Sequence, residues 1–313
     1  MANLHVSSTP HIHQKGSSTR NIMLDVVIAM IPATIAGVII FGLSALWVIL
    51  TCVASAVLAE FLFNLCCKKK QTIGDLSAVV TGLLLALNLR ADVPIWQCVV
   101  GSVFAILVVK CFFGGLGKNI ANPAITARVF MLLTFASTVA GGAAPVIAEI
   151  TSSATPLETL NLGALASKDI RLLDLFLGVH GGAIGETCAI ALLVGFAYLV
   201  VRKVIKWYVP ASFVATVFVC YFLFGGFDVV YSLQHVLAGG LLLGAIFMAT
   251  DYVTTPATNL GRVVFCIGAG LLTFAIRSFG AYPEGVSIAI LTMNLLTPFI
   301  ADWTKNKTLG GVR

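Results

Sequence analysis

The stretch NIMLDVVIAMIPATIAGVIIFG, Asn21–Gly42, decides how the chain is to be read. It carries one ionisable side chain, Asp25, and otherwise offers only apolar and small residues apart from Asn21 and Thr34. A bilayer core about 30 Å thick needs about 20 such residues in a helix. At that depth the backbone must satisfy its own hydrogen bonds, which an α-helix does within one segment. Runs of the same kind recur along the chain. The apolar pattern predicts helices over 22–42, 45–66, 76–89, 94–113, 119–139, 183–201, 209–225, 232–249, 261–279 and 284–300. The expected fold class is therefore all-α and polytopic, with about ten transmembrane helices. Composition agrees: of 313 residues 59% are hydrophobic and 10% charged, against about 25% charged in soluble proteins. Most of this surface faces something other than water, which excludes a soluble enzyme.

The net charge of +6 belongs to helix ends, so it is read as a topology signal and not as a nucleic-acid footprint. With the N-terminus cytoplasmic, the cytoplasmic segments collect Lys15, Arg20, Lys68, Lys69, Lys70, Lys110, Lys118, Arg202, Lys203, Lys206, Arg262, Lys305, Lys307 and Arg313. The opposite face collects Arg90, Lys168, Arg171 and Arg277, and Arg128 alone lies inside a span. This bias follows the positive-inside rule and puts both termini in the cytoplasm. The resulting organisation is a cytoplasmic tail over 1–20, a first five-helix half over 21–139, an external loop over 140–182, a second half over 183–303 and a cytoplasmic tail over 304–313. The first 20 residues are polar, with no small-residue cleavage site behind the first apolar run, so no cleavable leader is expected.

Local similarities point to an internal repeat. Thr81-Gly-Leu-Leu-Leu-Ala-Leu87 matches Gly239-Gly-Leu-Leu-Leu-Gly-Ala245, and Phe113-Gly-Gly before the fifth helix matches Phe279-Gly-Ala before the tenth. Five helices per half is an odd number, so the halves run in opposite directions. Such inverted repeats place their sites at discontinuous helices. The eight cysteines form no C-x-x-C pair, and no metal site is expected.

Five features carry chemistry. The external loop contains Ser152-Ser153-Ala154-Thr155-Pro156-Leu157, which alone reads as turn punctuation. Gly117-Lys118-Asn119-Ile-Ala-Asn122-Pro123-Ala124 opens the fifth helix with a proline that removes a backbone donor, and Asp251-Tyr-Val-Thr254-Thr255-Pro256 offers hydroxyls beside a second proline. A helix N-terminus beside Lys118 suits an anion or a carbonyl-rich ring. Arg128, at depth, costs at least about 2.5–3.5 kcal/mol on insertion scales, so it is expected to be paired or to lie against a ligand. Asp25, Glu60 and Glu186 are the acids in or beside spans. Each is read either as an ordinary boundary carboxylate or as a step in an ion pathway.

The loop Ser152–Leu157 resembles the flavin-attachment signature of the D subunit of Rnf ion-translocating oxidoreductases and the related B subunit of Na⁺-pumping NADH:quinone oxidoreductase. The resemblance extends to Pro10-His-Ile-His13, Ser18–Asp25, Gly117–Ala124 with Ala127-Arg128, Gly185-Glu186-Thr187, Tyr282-Pro-Glu284-Gly285 and Met293-Asn294. Ser153 stands where that family usually has glycine, and Glu149 where it often has aspartate. The resemblance implies FMN joined by a phosphoester to Thr155, placed there by a flavin transferase, and a second, noncovalent flavin of the riboflavin type. Expected contacts of flavin are Lys118, Asn119, Asn122, Pro123, Arg128, Thr254, Thr255, Glu186, Tyr282 and Glu284. It also implies an inner-membrane complex of several subunits, one other carrying FMN, that couples ferredoxin and NAD⁺ chemistry to Na⁺ or H⁺ movement, with no activity in this chain alone. The same family resembles urea- and ammonium-channel architecture, so a small-solute channel or carrier is the competing reading, though it gives the Thr155 loop no purpose.

Overall fold

The computed structural model describes residues 18–146, 156–161, 171–178, 180–280 and 285–305. Among them the chain is helical, with one isolated β-bridge between Ala143 and Gly182. The helices are α1 Thr19–Phe41, α2 Leu43–Cys66, α3 Ser77–Leu87, α4 Ile95–Cys111, α5 Pro123–Thr134, α6 Ala136–Val139, α7 Pro156–Asn161, α8 Leu172–Leu177, α9 Ala189–Val201, α10 Tyr208–Phe224, α11 Val229–Leu237, α12 Leu241–Met248, α13 Asn259–Phe279 and α14 Val286–Trp303. Four of them, α1, α2, α13 and α14, are long and apolar enough to cross a membrane, and α11 with α12 makes a fifth if that bent pair is one span. The chain is a polytopic helical membrane protein.

The packing is inside-out relative to a soluble bundle. On α1 the inward face is Asp25, Ala29, Met30, Ala33, Gly37 and Ile40, while Ile28, Ile31, Ile35 and Ile39 face outward. Small residues let backbones approach where lipid supplies no hydrophobic driving force between helices. Gly195 of α9 lies so close to α1 that a Cβ there would overlap the Ala29 carbonyl oxygen. Gly82 of α3 is held closely against α2, at the Cys52 carbonyl. Around the α1–α9 contact, α2 packs on α3 and α4, α10 packs on α11 and α13, and α14 lies against both α13 and α5.

Three expected helices are shorter or broken. The segment 119–139 becomes helical only at Pro123, because Asn122 caps it: its Oδ1 accepts from the Ala124 and Ile125 amides at 3.0 and 3.4 Å. The segment 183–201 starts at Ala189, because 183–187 is used as a cap for α3. There the Gly185 amide donates to the Leu87 carbonyl (2.8 Å) and the Ile184 amide to Leu89 (2.9 Å). The segment 232–249 is bent by 67° between α11 and α12, where Gly239 takes a φ of +72° that a side chain would resist. α4 continues as a π-helix from Phe104 to Cys111, a local widening often found at functional sites.

Candidate functional site

Two breaks in the helical path, at the two ends of α12, gather many of the buried polar groups. The first lies at the lysine-rich end, where the start of α5 meets the loop after α12. Asn122 uses its oxygen as the α5 cap and brings its Nδ2 within 3.5 Å of the Asp251 carboxylate. Asp251 accepts from the Val253 amide (3.2 Å) and the Thr254 hydroxyl (3.1 Å), and the Thr255 hydroxyl donates to the Asp251 carbonyl (2.5 Å). Desolvation pushes the Asp251 carboxyl pKa up, against the Val253 and Thr254 hydrogen bonds that pull it down. Asn294 of α14 ties the two segments together. With its amide turned to satisfy both ends, it donates to the Thr254 carbonyl and accepts from the Asn122 amide, each at 3.2 Å.

These segments close one side of a cavity with about 760 Å³ of open space, counting its mouth. Its walls are mainly apolar, from Val26, Leu84, Ile246 and Phe247, with Asn119, Asn122, Asp251, Ser77 and Lys110 as polar points. The Asn119 Oδ1 is buried and has no hydrogen-bond partner among the described residues. A buried polar atom left unsatisfied costs about 1–3 kcal/mol, so its presence in a cavity wall marks a place where a donor is wanted.

Lys110 and Glu60 correct the sequence reading. The apolar pattern puts both at a solvated boundary, yet they are 2% and 1% exposed. They form an ion pair at 2.7 Å. Lys110 Nζ also donates to Ser77 Oγ (2.6 Å), which donates in turn to Asp75 (2.5 Å). The Thr72 hydroxyl bonds Glu60 and receives a bond from Asn64 Nδ2 (3.0 Å). Asp25, by contrast, pairs with exposed Arg202 at 3.2 Å and accepts from the Tyr198 hydroxyl at 2.9 Å.

At the opposite end, the break between α11 and α12 is closed by charge. Arg277 reads from sequence as an external topology charge, but it is 2% exposed. Its guanidinium donates to the His235 (2.8 Å) and Ala238 (3.2 Å) carbonyls, which the end of α11 leaves without helical partners. Leu157, buried, presses on the same spot: a Cβ at Gly239 would stand 3.2 Å from Leu157 Cδ2 and 3.1 Å from Arg277 Nη2. The Pro156–Leu157 end of the loop motif is thus docked on the helix break, while Ser152, Ser153, Ala154 and Thr155 lie outside the described residues, as do Tyr282 and Glu284. Beside the break, Glu186 Oε1 accepts from the Ala183 amide (2.9 Å). Glu186 also lines a small cavity with Asn88, Gly240, Gly244, Met248 and Ser287. Arg128 Nη1 donates to the Val139 carbonyl (3.1 Å).

Of the residues read from sequence, Asn119, Asn122 and Pro123 line the large cavity, with Thr254 and Thr255 in the loop behind it. Lys118 is exposed, and Lys118, Arg128 and Glu186 do not line it. Lys110, Ser77 and Asp251 are site residues that the sequence reading misses. For Lys110 the only signal is an acid in the second helix fifty positions away, which no local pattern reveals.

The model of the NQR2, RnfD, RnfE family matches residues 5–310. The chain belongs to that family. Within this NQR2, RnfD, RnfE family it is 44% identical to the D subunit of the Na⁺-translocating ferredoxin:NAD⁺ oxidoreductase complex of Acetobacterium woodii, over 98% of this chain and 96% of that one. It is 39% identical to the proton-translocating counterpart of Clostridium ljungdahlii, over 97% and 96%. To the D subunit of the ion-translocating oxidoreductase complex of an Escherichia coli strain it is 34% identical, over 97% and 98%.

Proposed function

We propose that the chain is the D subunit of an Rnf-type ion-translocating ferredoxin:NAD⁺ oxidoreductase, a flavin-carrying membrane subunit without complete activity of its own. The supporting observation is the cavity beside Asn119, Asn122 and Asp251, on the motif that resembles the family's. The residues present fit a noncovalent flavin: apolar walls for the faces of a ring system, and the unpartnered Asn119 oxygen for one of its N–H groups. Bound flavin supplies electron transfer in one- or two-electron steps, and the protein contributes position and polarity. Leu157, with buried Pro156 before it, is docked on the α11–α12 break, and we place covalent FMN, installed by a flavin transferase, on the adjoining Thr155.

The bundle is read as about ten membrane-crossing or half-crossing segments in two inverted halves. Support comes from like pairs that meet across the middle, α1 with α9 and α5 with α14, and from α2 and α10 each packing on the next elements of its own half. The positive-inside bias puts the lysine-rich end in the cytoplasm and the Thr155 loop outside an inner membrane. Partners are the remaining subunits of the complex, a second FMN carrier among them. Two acids stand for an ion path: Glu60 with Lys110, and Glu186 where the C-terminal end of α3 faces the N-terminal end of α12. The relatives named for Na⁺ and for protons are similarly close to this chain, so identity does not choose the ion.

The test is flavin fluorescence of the denatured chain on a gel, made together with its transferase. The wild-type band fluoresces and the Thr155→Val band does not, while a second flavin is released from both by denaturation. A fluorescent Thr155→Val band, or a dark wild-type band, overturns the covalent assignment.

A further inference from the structure

A second cavity lies behind the first, at the lysine-rich end, with about 530 Å³ of open space. The two share a wall made of Val204, Ile205, Thr250 and Tyr252. Its outer lining carries three cations, Lys203, Lys206 and Arg262, and no carboxylate among the described residues. Nearby cations are neutralised differently: Arg202 pairs with Asp25, Lys110 with Glu60 and Lys305 with Asp302. Lys203 makes no side-chain hydrogen bond or ion pair among the described residues. Lys206 reaches only the neutral Asn259 oxygen (2.5 Å) and the Tyr208 ring, 5.9 Å away. Arg262 spends its Nε on the Pro256 carbonyl (3.1 Å), which leaves its two terminal nitrogens without a partner among the described residues.

The backbone of Lys203 points the same way. It ends α9 with a φ of +58°, its amide bonded to the Val200 carbonyl and the next amide to Leu199. Glycine is the ordinary residue for such a left-handed helix end, and a lysine there accepts backbone strain. The cavity also lies at the right depth. Trp207, next in line after Lys206, is 64% exposed, and Tyr208 follows it. Such aromatic pairs sit at the headgroup region of a bilayer, where basic pockets between helices take anionic headgroups.

We propose that Lys203, Lys206 and Arg262 bind the phosphate of an anionic phospholipid from the leaflet at the lysine-rich end. The phosphodiester is met by the three cations, and Val204, Ile205 and Val209 line the apolar side. The lipid braces the wall it shares with the larger cavity from behind. This assignment does not depend on what the larger cavity holds.

The purified full chain, delipidated in neutral detergent, tests it by thermal unfolding with palmitoyl-oleoyl phosphatidylglycerol, the matching phosphatidylcholine, or inorganic phosphate. Phosphatidylglycerol is expected to raise the midpoint by about 3 °C, and the other two to leave it near its starting value. Replacing all three cations with glutamine abolishes the shift. Lys203→Gly separates binding from folding: relief of the left-handed strain raises the lipid-free midpoint, while the phosphatidylglycerol shift falls by at least half. An unchanged shift in Lys203→Gly or in the triple variant overturns the proposal. So does an equal shift with phosphatidylcholine, and a full shift with inorganic phosphate alone reassigns the site to a free anion and overturns the lipid.

Discussion

The two helix breaks solve one problem with different chemistry. Each exposes backbone groups that the bilayer interior cannot hydrate. Between α11 and α12 a buried guanidinium closes the gap, and Leu157 fills what remains. At the start of α5 the closure uses amides and hydroxyls, Asn122, Asn294 and Thr254, with a single carboxylate among them. The charged closure leaves a small cavity beside it; the amide closure leaves a large one. A full charge at depth has to be surrounded on every side, whereas neutral dipoles tolerate an open face. The first kind suits an anchor and the second a ligand site.

The largest effect should come from the one place where the cavity wall carries a charged pair. Glu60→Gln or Lys110→Met alone leaves its partner buried and unpaired and should destabilise the full chain by about 3–5 kcal/mol. The double variant should recover more than half of that, measured by unfolding in detergent. Additive losses in the double variant would show that the two side chains are not acting as a pair. Next in size is Arg277→Met, which removes two charge-assisted hydrogen bonds and should cost about 3 kcal/mol, while the noncovalent flavin we propose for the cavity should stay bound. Loss of that flavin at unchanged stability would reverse the contrast between the two ends. Asn119→Leu should do the opposite: roughly tenfold weaker retention of extractable flavin, about 1.4 kcal/mol, with the unfolding midpoint nearly unmoved.

The smallest effect concerns pH. A carboxyl whose pKa is raised on folding keeps its proton to higher pH than the unfolded chain does. Stability is therefore lost as pH rises from the unfolded value through the folded one. Asp251→Asn removes that loss, so it should be more stable than wild type at pH 8 and indistinguishable from it at pH 3. An advantage that is the same at both pH values would mean that the carboxylate is not being disfavoured by burial.

Much of this is legible in the sequence, for definite reasons. Long apolar runs such as 22–42 and 45–66 need no tertiary information, because lipid asks for the same composition all around a helix. Asn122-Pro123 announces a helix start, and the structure places that start four residues later than the apolar run alone suggests. Gly239-Gly240 stands inside a run that reads as one helix of 232–249, and only the 67° bend shows that those glycines divide it. Lys110 misleads because a lysine near the end of a span ordinarily snorkels to water. Here the π-helical turn sets it inward towards a glutamate that sequence separation hides. Arg277 misleads for the same reason at the other end.

The wall shared by the two cavities bears on how the protein is filled as it matures. Asn294 locks the α5 side with hydrogen bonds at both of its ends, and Lys110 locks the α4 side through Glu60. Where the Val204 and Tyr252 segments meet, the side-chain fastening seen among the described residues is the Tyr252 hydroxyl on the Val204 carbonyl. A cofactor of the kind proposed for the larger cavity, if loaded after the helices have assembled, would meet one tyrosine hydrogen bond there, whereas the other two sides would have to part a buried ion pair or a doubly bonded asparagine.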